Sequence, residues 1–191
     1  MVKKFKDVVF LLILGSICTL MLLGIKSYTY PKIFQYEEMK FKTTILGAAS
    51  LGYTLDDFEK IFEENINKKE QNGVTYYLSP SNLYIYEFKG RGLWGPIKGV
   101  ITLQPDLETI ESISIIAQEE TPGLGARITE DVFLKQFVNK KVLPSLAVVM
   151  RRKSTEINEI DAISGATMTS VALVDMINEA VDTLRLALRG K

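Results

Sequence analysis

Residues 74–117 read VTYYLSPSNLYIYEFKGRGLWGPIKGVITLQPDLETIESISIIA, and this stretch decides the fold. Val74–Leu78 and Leu83–Lys89 carry the β-branched and aromatic bias of strands, separated by the turn-forming SPSN. Ile97–Leu103 and Ile110–Ala117 repeat the pattern, with Pro105 and Asp106 favouring a turn in the Gln104–Thr109 connection. Four strand-like runs joined by short links imply an antiparallel sheet. On the N-terminal side, Thr54–Asn67 spaces Leu55, Phe58, Ile61, Phe62 and Ile66 as an amphipathic helix with Thr54 as its N-cap, and Lys68–Gly73 reads as a polar turn. On the C-terminal side, Glu130–Asn139 reads as a short helix offering Val132, Phe133, Phe137 and Val138 for packing. Val142–Met150 is apolar but broken by Pro144, and the charge run Arg151, Arg152, Lys153 reads as a solvated end. From Ser170 to Leu188, Val171, Val174, Ile177, Val181, Leu184 and Leu188 recur every three or four residues, which is the stripe of an amphipathic helix. Strands clustered between helices specify an α+β class, a mainly antiparallel sheet with packed helices.

The composition narrows the chemistry. The 191 residues contain no His and a single cysteine, Cys18. A c-type haem needs two Cys and a His, an iron–sulfur cluster usually four Cys, and zinc sites several Cys or His. No metal site and no Ser–His–Asp or Cys–His centre is expected, because each of those centres uses an imidazole. Lys+Arg and Asp+Glu both number 23, so the basic surplus of a nucleic-acid binder is missing. Redox chemistry in such a chain requires an organic cofactor.

A mean hydropathy of +0.11 is high for a soluble domain, and its source is local. Val8–Ile25, VVFLLILGSICTLMLLGI, has no charge and as a helix extends about 27 Å, near the thickness of a bilayer's hydrocarbon core. No small-x-small cleavage site follows, and Cys18 is preceded by Ile17 rather than a small residue, so an uncleaved anchor is expected. Lys3, Lys4 and Lys6 precede it, which orients the N-terminus to the cytoplasm and the remainder outside. Removing those three and Asp7 from the totals leaves 20 basic and 22 acidic residues beyond the anchor. Tyr28–Lys42, around Pro31, reads as a connector or helical stalk, with Tyr28 and Tyr30 suited to headgroup level.

Three stretches carry the candidate chemistry. Asp161–Ser170, DAISGATMTS, places Ser164, Thr167, Thr169 and Ser170 around Gly165 and Ala166 just ahead of the last helix. Such residues serve as N-caps, and equally leave a ligand phosphate room among the free N–H groups of a helix start. Glu119–Arg127, EETPGLGAR, combines a stiffening Pro122 with Gly123 and Gly125; it reads either as a turn or as a loop that a flat ring approaches closely. Gly90–Gly99, GRGLWGPIKG, holds the sole tryptophan, Trp94, for which a core-capping position is favoured over ring stacking.

The order GLWGPIKG, ETPGLG, DAISGAT and a final helix, behind one N-terminal anchor, resembles the FMN-binding subunits of the Rnf and Na+-translocating NADH:quinone reductase (Nqr) complexes. The resemblance runs the length of the chain, with its firm matches between Gly90 and Val181. It implies an anchor over 1–30 and an extracytoplasmic FMN-binding domain over 31–191. It also implies that a flavin transferase couples FMN through its phosphate to Thr167, within Asp161, Ser164, Gly165 and Ala166. Glu120, Thr121, Gly123, Leu124 and Gly125 then line the ring, with Trp94 as a further contact. The implied role is an electron-relay subunit of a membrane ion-translocating oxidoreductase, inactive without its partner subunits, in which FMN rather than the protein performs the redox chemistry. Compact length leans toward Rnf-type ferredoxin:NAD+ oxidoreductase and GLWG toward Nqr. A free-standing anchored flavoprotein and a non-redox binding module are the other readings. One departure stands out: many members of the family it resembles have a His two residues before the Glu of ETPGLG, where this chain has Gln118, so the resemblance implies no role of that His here.

Overall fold

The computed structural model describes residues 2–150 and 152–189, with side chains from Lys6 onward; Arg151 of the basic run lies outside the described residues. The chain divides into two compact units, Met1–Lys40 and Phe41–Lys191. Helix α1 (Val2–Ala48) contains Pro31 and makes up the first unit, while its last residues belong to the second. It is long and apolar enough to cross a membrane, and its apolar side chains from Val8 to Ile25 are exposed. Tyr28–Lys42 is therefore helix rather than an irregular connector.

The second unit is built on a five-stranded antiparallel meander in sequence order: β1 (Asn67–Gln71), β2 (Val74–Leu78), β3 (Tyr84–Arg91), β4 (Pro96–Leu103) and β5 (Ile110–Gln118). The four strands read from residues 74–117 all form, in consecutive pairing. β1 is a correction to the expected polar turn. NKKEQ has no apolar residue and is exposed throughout, but its backbone pairs fully with β2 from Asn67↔Leu78 to Gln71↔Val74. An edge strand can form on backbone hydrogen bonds alone, and its charges guard the open edge. Asn72 and Gly73, both at positive φ, make the tight hairpin turn.

Side-chain alternation along the strands separates two cores. Ile97, Ile101 and Leu103 of β4, with Ile110 and Ile113 of β5, face one way and pack with Leu173, Val174, Ile177, Val181 and Leu184 of α4 (Thr167–Arg189). Ile85, Val100 and Ile116 face the other way, against Ile45, Leu46 and Ala49 at the end of α1 and the partly buried face of α2 (Phe58–Asn65). By the same alternation Ile115 joins the first core and Ile116 the second, beside a register shift between β4 and β5 at Lys98/Gly99. Burying each large aliphatic side chain stabilises the fold by about 1.5–3 kcal/mol, so the two faces together fix the sheet between its helices.

The helix α2 is shorter than Thr54–Asn67, and Thr54 is not its cap. The Thr54 N–H instead donates to Asp57 Oδ1 at 2.5 Å, and the Thr54 carbonyl accepts from Asp57 and Phe58, a turn that leaves Leu55 exposed. Glu130–Asn139 likewise resolves into a one-turn helix, α3 (Asp131–Leu134), and a 3-10 turn over Lys135–Phe137. Phe133 and Phe137 are buried there, whereas Val132 and Val138 face solvent. Within Val142–Met150, Ala147–Val149 forms β6, paired in parallel with β7 (Glu159–Asp161). That small ladder delivers the chain to the turn ahead of α4.

Candidate functional site

The turn Ile163–Ala166 leads into α4. Gly165 has φ +79, which a Cβ disfavours, and the Ala166 N–H donates to the Ile163 carbonyl at 2.9 Å. The helix begins at Thr167, three residues earlier than the apolar stripe alone indicates. The residue at the cap position is Ala166, which has no side-chain acceptor, so the expected Ser/Thr capping does not occur there. Ser170 closes the turn from inside the helix instead: its Oγ accepts from the Ile163 N–H and donates to the Ala166 carbonyl, both at 3.1 Å. The N–H groups of the first turn thus stay free at the start of α4, where the helix dipole favours an anion.

Thr167 and Thr169 face opposite ways, because two helical residues rotate the side chain by about 200°. Thr167 is half-buried and lines a cleft of about 610 Å³ with Asp161, Ser164, Gly165, Arg152 and Lys153. Thr169 is 1% exposed, and its hydroxyl donates to Glu120 Oε2 at 2.8 Å. Asp161 is half-buried and accepts a hydrogen bond from the Ser154 N–H, tying the basic loop to β7. Arg152 forms a two-point pair with Glu159, so the loop read as a solvated end is held against the cleft. A cleft at a helix start with Arg152 and Lys153 in its lining fits the phosphate of a nucleotide cofactor.

Glu120 is the centre of the neighbouring loop. It is buried, and its Oε1 accepts from the amides of Trp94 at 2.9 Å and Gly95 at 3.4 Å while Oε2 accepts from Thr169. Burial opposes its ionisation, but the Trp94 amide, the Thr169 hydroxyl and the Gly95 and Leu93 amides outweigh it and hold the carboxyl below its ordinary range. Gln118 Oε1 accepts the Glu120 N–H at 2.6 Å, so Gln118 braces the backbone of Glu120. Gly123, at φ +74, serves the turn as expected. Gly125 has a different reason for being glycine: a Cβ there would lie 2.5 Å from Glu120 Oε2 and 2.7 Å from Thr169 Oγ1. A Cβ on Gly92 would collide with Glu120 Oε1 in the same way.

Around this buried clasp the surface is apolar. Trp94 is 68% exposed, which corrects the core-capping expectation: Glu120 ties down its backbone and turns the indole outward. Leu93, Leu124 and Met168 are also exposed, Pro122 and Gly123 lie in solvent, and Thr121 is half-buried. Leu124 reaches the turn ahead of α4, with its Cδ2 3.3 Å from where a Cβ on Gly165 would stand. The structure therefore brings 120–125, Trp94 and 164–167 together from three distant segments. Missed in the sequence were Arg152 and Lys153 as cleft residues and Thr169 and Ser170 as internal fasteners. The signal for Thr169 was its two-residue offset from Thr167.

Residues 92–182 match the family model described as FMN-binding domain. The chain is a relative of the corresponding subunits of the Rnf and Nqr complexes. A 108-residue stretch is 36% identical to the subunit designated G of the proton-translocating ferredoxin:NAD(+) oxidoreductase complex of Clostridium ljungdahlii, covering 56% of each chain. Over 131 residues it is 34% identical to the equally designated subunit of the ion-translocating oxidoreductase complex of Methanosarcina acetivorans, covering 66% of each. The chain thus spans less than two thirds of the length of these curated relatives. The crystal structure of the matching subunit of the Na(+)-translocating NADH-quinone reductase from Parabacteroides distasonis superposes with a TM-score of 0.68 at 28% identity, covering 83% of this chain and 96% of that one. The mixed fold with its antiparallel sheet is the one expected from the strand pattern.

Proposed function

We propose that this chain is an electron-carrying subunit of a membrane ion-translocating oxidoreductase and holds FMN through a phosphoester to Thr167. The observation that carries this reading is the position of Thr167: first residue of α4, half-exposed, in a cleft with Arg152 and Lys153, beside the 120–125 loop and Trp94. Attachment by a flavin transferase forms a P–O bond at Thr167 Oγ1. The hydroxyl proton would leave, and the phosphoanhydride bond of a flavin adenine dinucleotide donor would break with release of AMP. The phosphate charge then rests at the positive end of α4, with Lys153 and Arg152 close by. Bound FMN supplies reversible electron transfer, and the protein holds and shields it. Glu120 shapes the loop pair, while Thr121, Gly123, Leu124 and Trp94 present the surface on which the ring rests.

The apolar run of α1 anchors residues 1–30, its basic start keeps the N-terminus in the cytoplasm, and residues 31–191 work outside. The partners are the other membrane subunits of the complex, and the chain is not active alone. The Rnf-type complex, moving electrons between ferredoxin and NAD(H), is preferred because the Clostridium and Methanosarcina relatives share more of their length with this chain than the fragmentary Nqr matches do. The Nqr role rests on the structural likeness to the Parabacteroides protein.

Mass spectrometry of the full chain made with and without a flavin transferase tests the attachment. The tryptic peptide 154–185 is expected to gain one FMN phosphoester on Thr167 only when the transferase is present. An unmodified peptide overturns the attachment, and absence of flavin absorbance near 450 nm overturns the redox role.

A further inference from the structure

We infer that Thr169 is a positioning residue, which through Glu120 locks the start of α4 to the two loops at 92–95 and 120–125, so that the attachment point and the ring surface move as one body. The inference rests on the reading of Thr167 as the FMN attachment site. Three polypeptide segments converge on one carboxylate. The helix contributes the Thr169 hydroxyl, the 92–95 loop contributes the amides of Trp94 and Gly95, and the third segment carries Glu120 itself. Thr169 and Glu120 are 49 positions apart and both buried, so no solvent replaces the hydrogen bond if either partner is lost.

The packing around the carboxylate shows that the clasp allows little play. Gly92 and Gly125 approach Glu120 from either side where no Cβ fits, and Gly125 also approaches Thr169 Oγ1. Gln118 fixes the backbone of Glu120 from a third direction. A side chain tethered at Thr167 alone would swing about the several single bonds between Oγ1 and the ring. Precise placement needs the receiving surface held at a constant offset from the tether, and a rigid surround is what orients a reactive group. Thr169 lies two residues from the tether on the opposite side of the same helical turn, which makes it the most direct link available between helix and loops.

Trp94 is the only tryptophan, so its emission reports on the clasped loop without labelling. The full-length chain in detergent is made without the transferase for one arm and with it for the other, as wild type, Thr169→Val and Thr169→Ser. In the flavin-free arm, Thr169→Val is expected to lower Trp94 anisotropy and to speed amide exchange at Trp94 and Gly95 by about tenfold, and Thr169→Ser to restore both. In the loaded arm, Thr169→Val keeps one FMN per chain but loses most of the visible circular dichroism of the flavin, which Thr169→Ser recovers. Wild-type loop dynamics in Thr169→Val overturn the coupling, as does a loosened loop with unchanged flavin dichroism. A Thr169→Val chain that fails to fold while Thr169→Ser shows the same loose loop also overturns it. Wild type lacking FMN at Thr167 overturns the attachment reading instead, and is told apart from failure of the clasp by the flavin-free arm.

Discussion

The amide of Ile163 donates to the hydroxyl of Ser170, seven residues ahead and one turn inside α4, at 3.1 Å. This bond replaces the missing cap at Ala166 and fixes the exit of the turn that presents Thr167. Both atoms lie in a buried setting, so Ser170→Ala leaves the Ile163 N–H without a partner. The expected loss is about 1–2 kcal/mol, read as a lower melting temperature. FMN incorporation at Thr167 is expected to slow as the turn frays.

Thr167→Val removes the attachment oxygen while keeping the side-chain shape. In-gel flavin fluorescence is expected to vanish from this variant and to persist in Thr169→Val, whose hydroxyl is buried and already donated to Glu120. Fluorescence in Thr167→Val together with its loss in Thr169→Val would move the attachment site.

Gly125→Ala and Gly123→Ala separate close packing from backbone conformation. The Gly125 Cβ meets Glu120 and Thr169 atoms that are held in place, at a cost of about 1–3 kcal/mol. The Gly123 Cβ enters open space, but its φ of +74 costs an L side chain about 1–2 kcal/mol. Chemical denaturation gives both losses. Only Gly125→Ala is expected to shift Trp94 emission, since only it displaces the carboxylate that holds the Trp94 amide.

Acid stability follows from two carboxylates. The folded-state pKa of Glu120 lies below its ordinary value of 4.5, so protons bind the unfolded chain more readily. Its contribution is full above 4.5 and is lost as pH falls through the folded value. Glu159 behaves alike, held down to about 2 by Arg152 and the amides of Thr155 and Glu156, so its contribution is lost as pH falls toward that value. Glu120→Gln and Glu159→Gln are each expected to flatten part of the acid limb in melting temperature against pH, below 4.5. An unchanged profile in Glu120→Gln would mean that the clasp holds without the charge.

The sheet was legible because its strands carry strong β-branched runs with a two-residue period, and α4 because its stripe repeats every three to four residues. β1 was hidden because NKKEQ forms by pairing with β2, a condition no local signal records. Thr54 failed as a cap because a turn closed by its carbonyl onto the Asp57 and Phe58 amides comes first, and the helix starts only at Phe58. Trp94 was misplaced because an aromatic flanked by glycines reads as core until the buried partner of its backbone, Glu120, is known.

The sequence by itself determined an N-terminal run long and apolar enough to cross a membrane, the α+β class and the three stretches that meet at the candidate site. These follow from composition, periodicity and motif, all of which are properties of neighbouring residues. Only the tertiary structure decided that Thr167 opens onto the cleft while Thr169 turns inward. It also showed that Glu120 joins three segments, and that Gly92 and Gly125 are glycines to make room for its oxygens. Those outcomes depend on atoms brought within hydrogen-bond or van der Waals reach across 25 to 49 positions, where chain folding rather than local preference sets the distance.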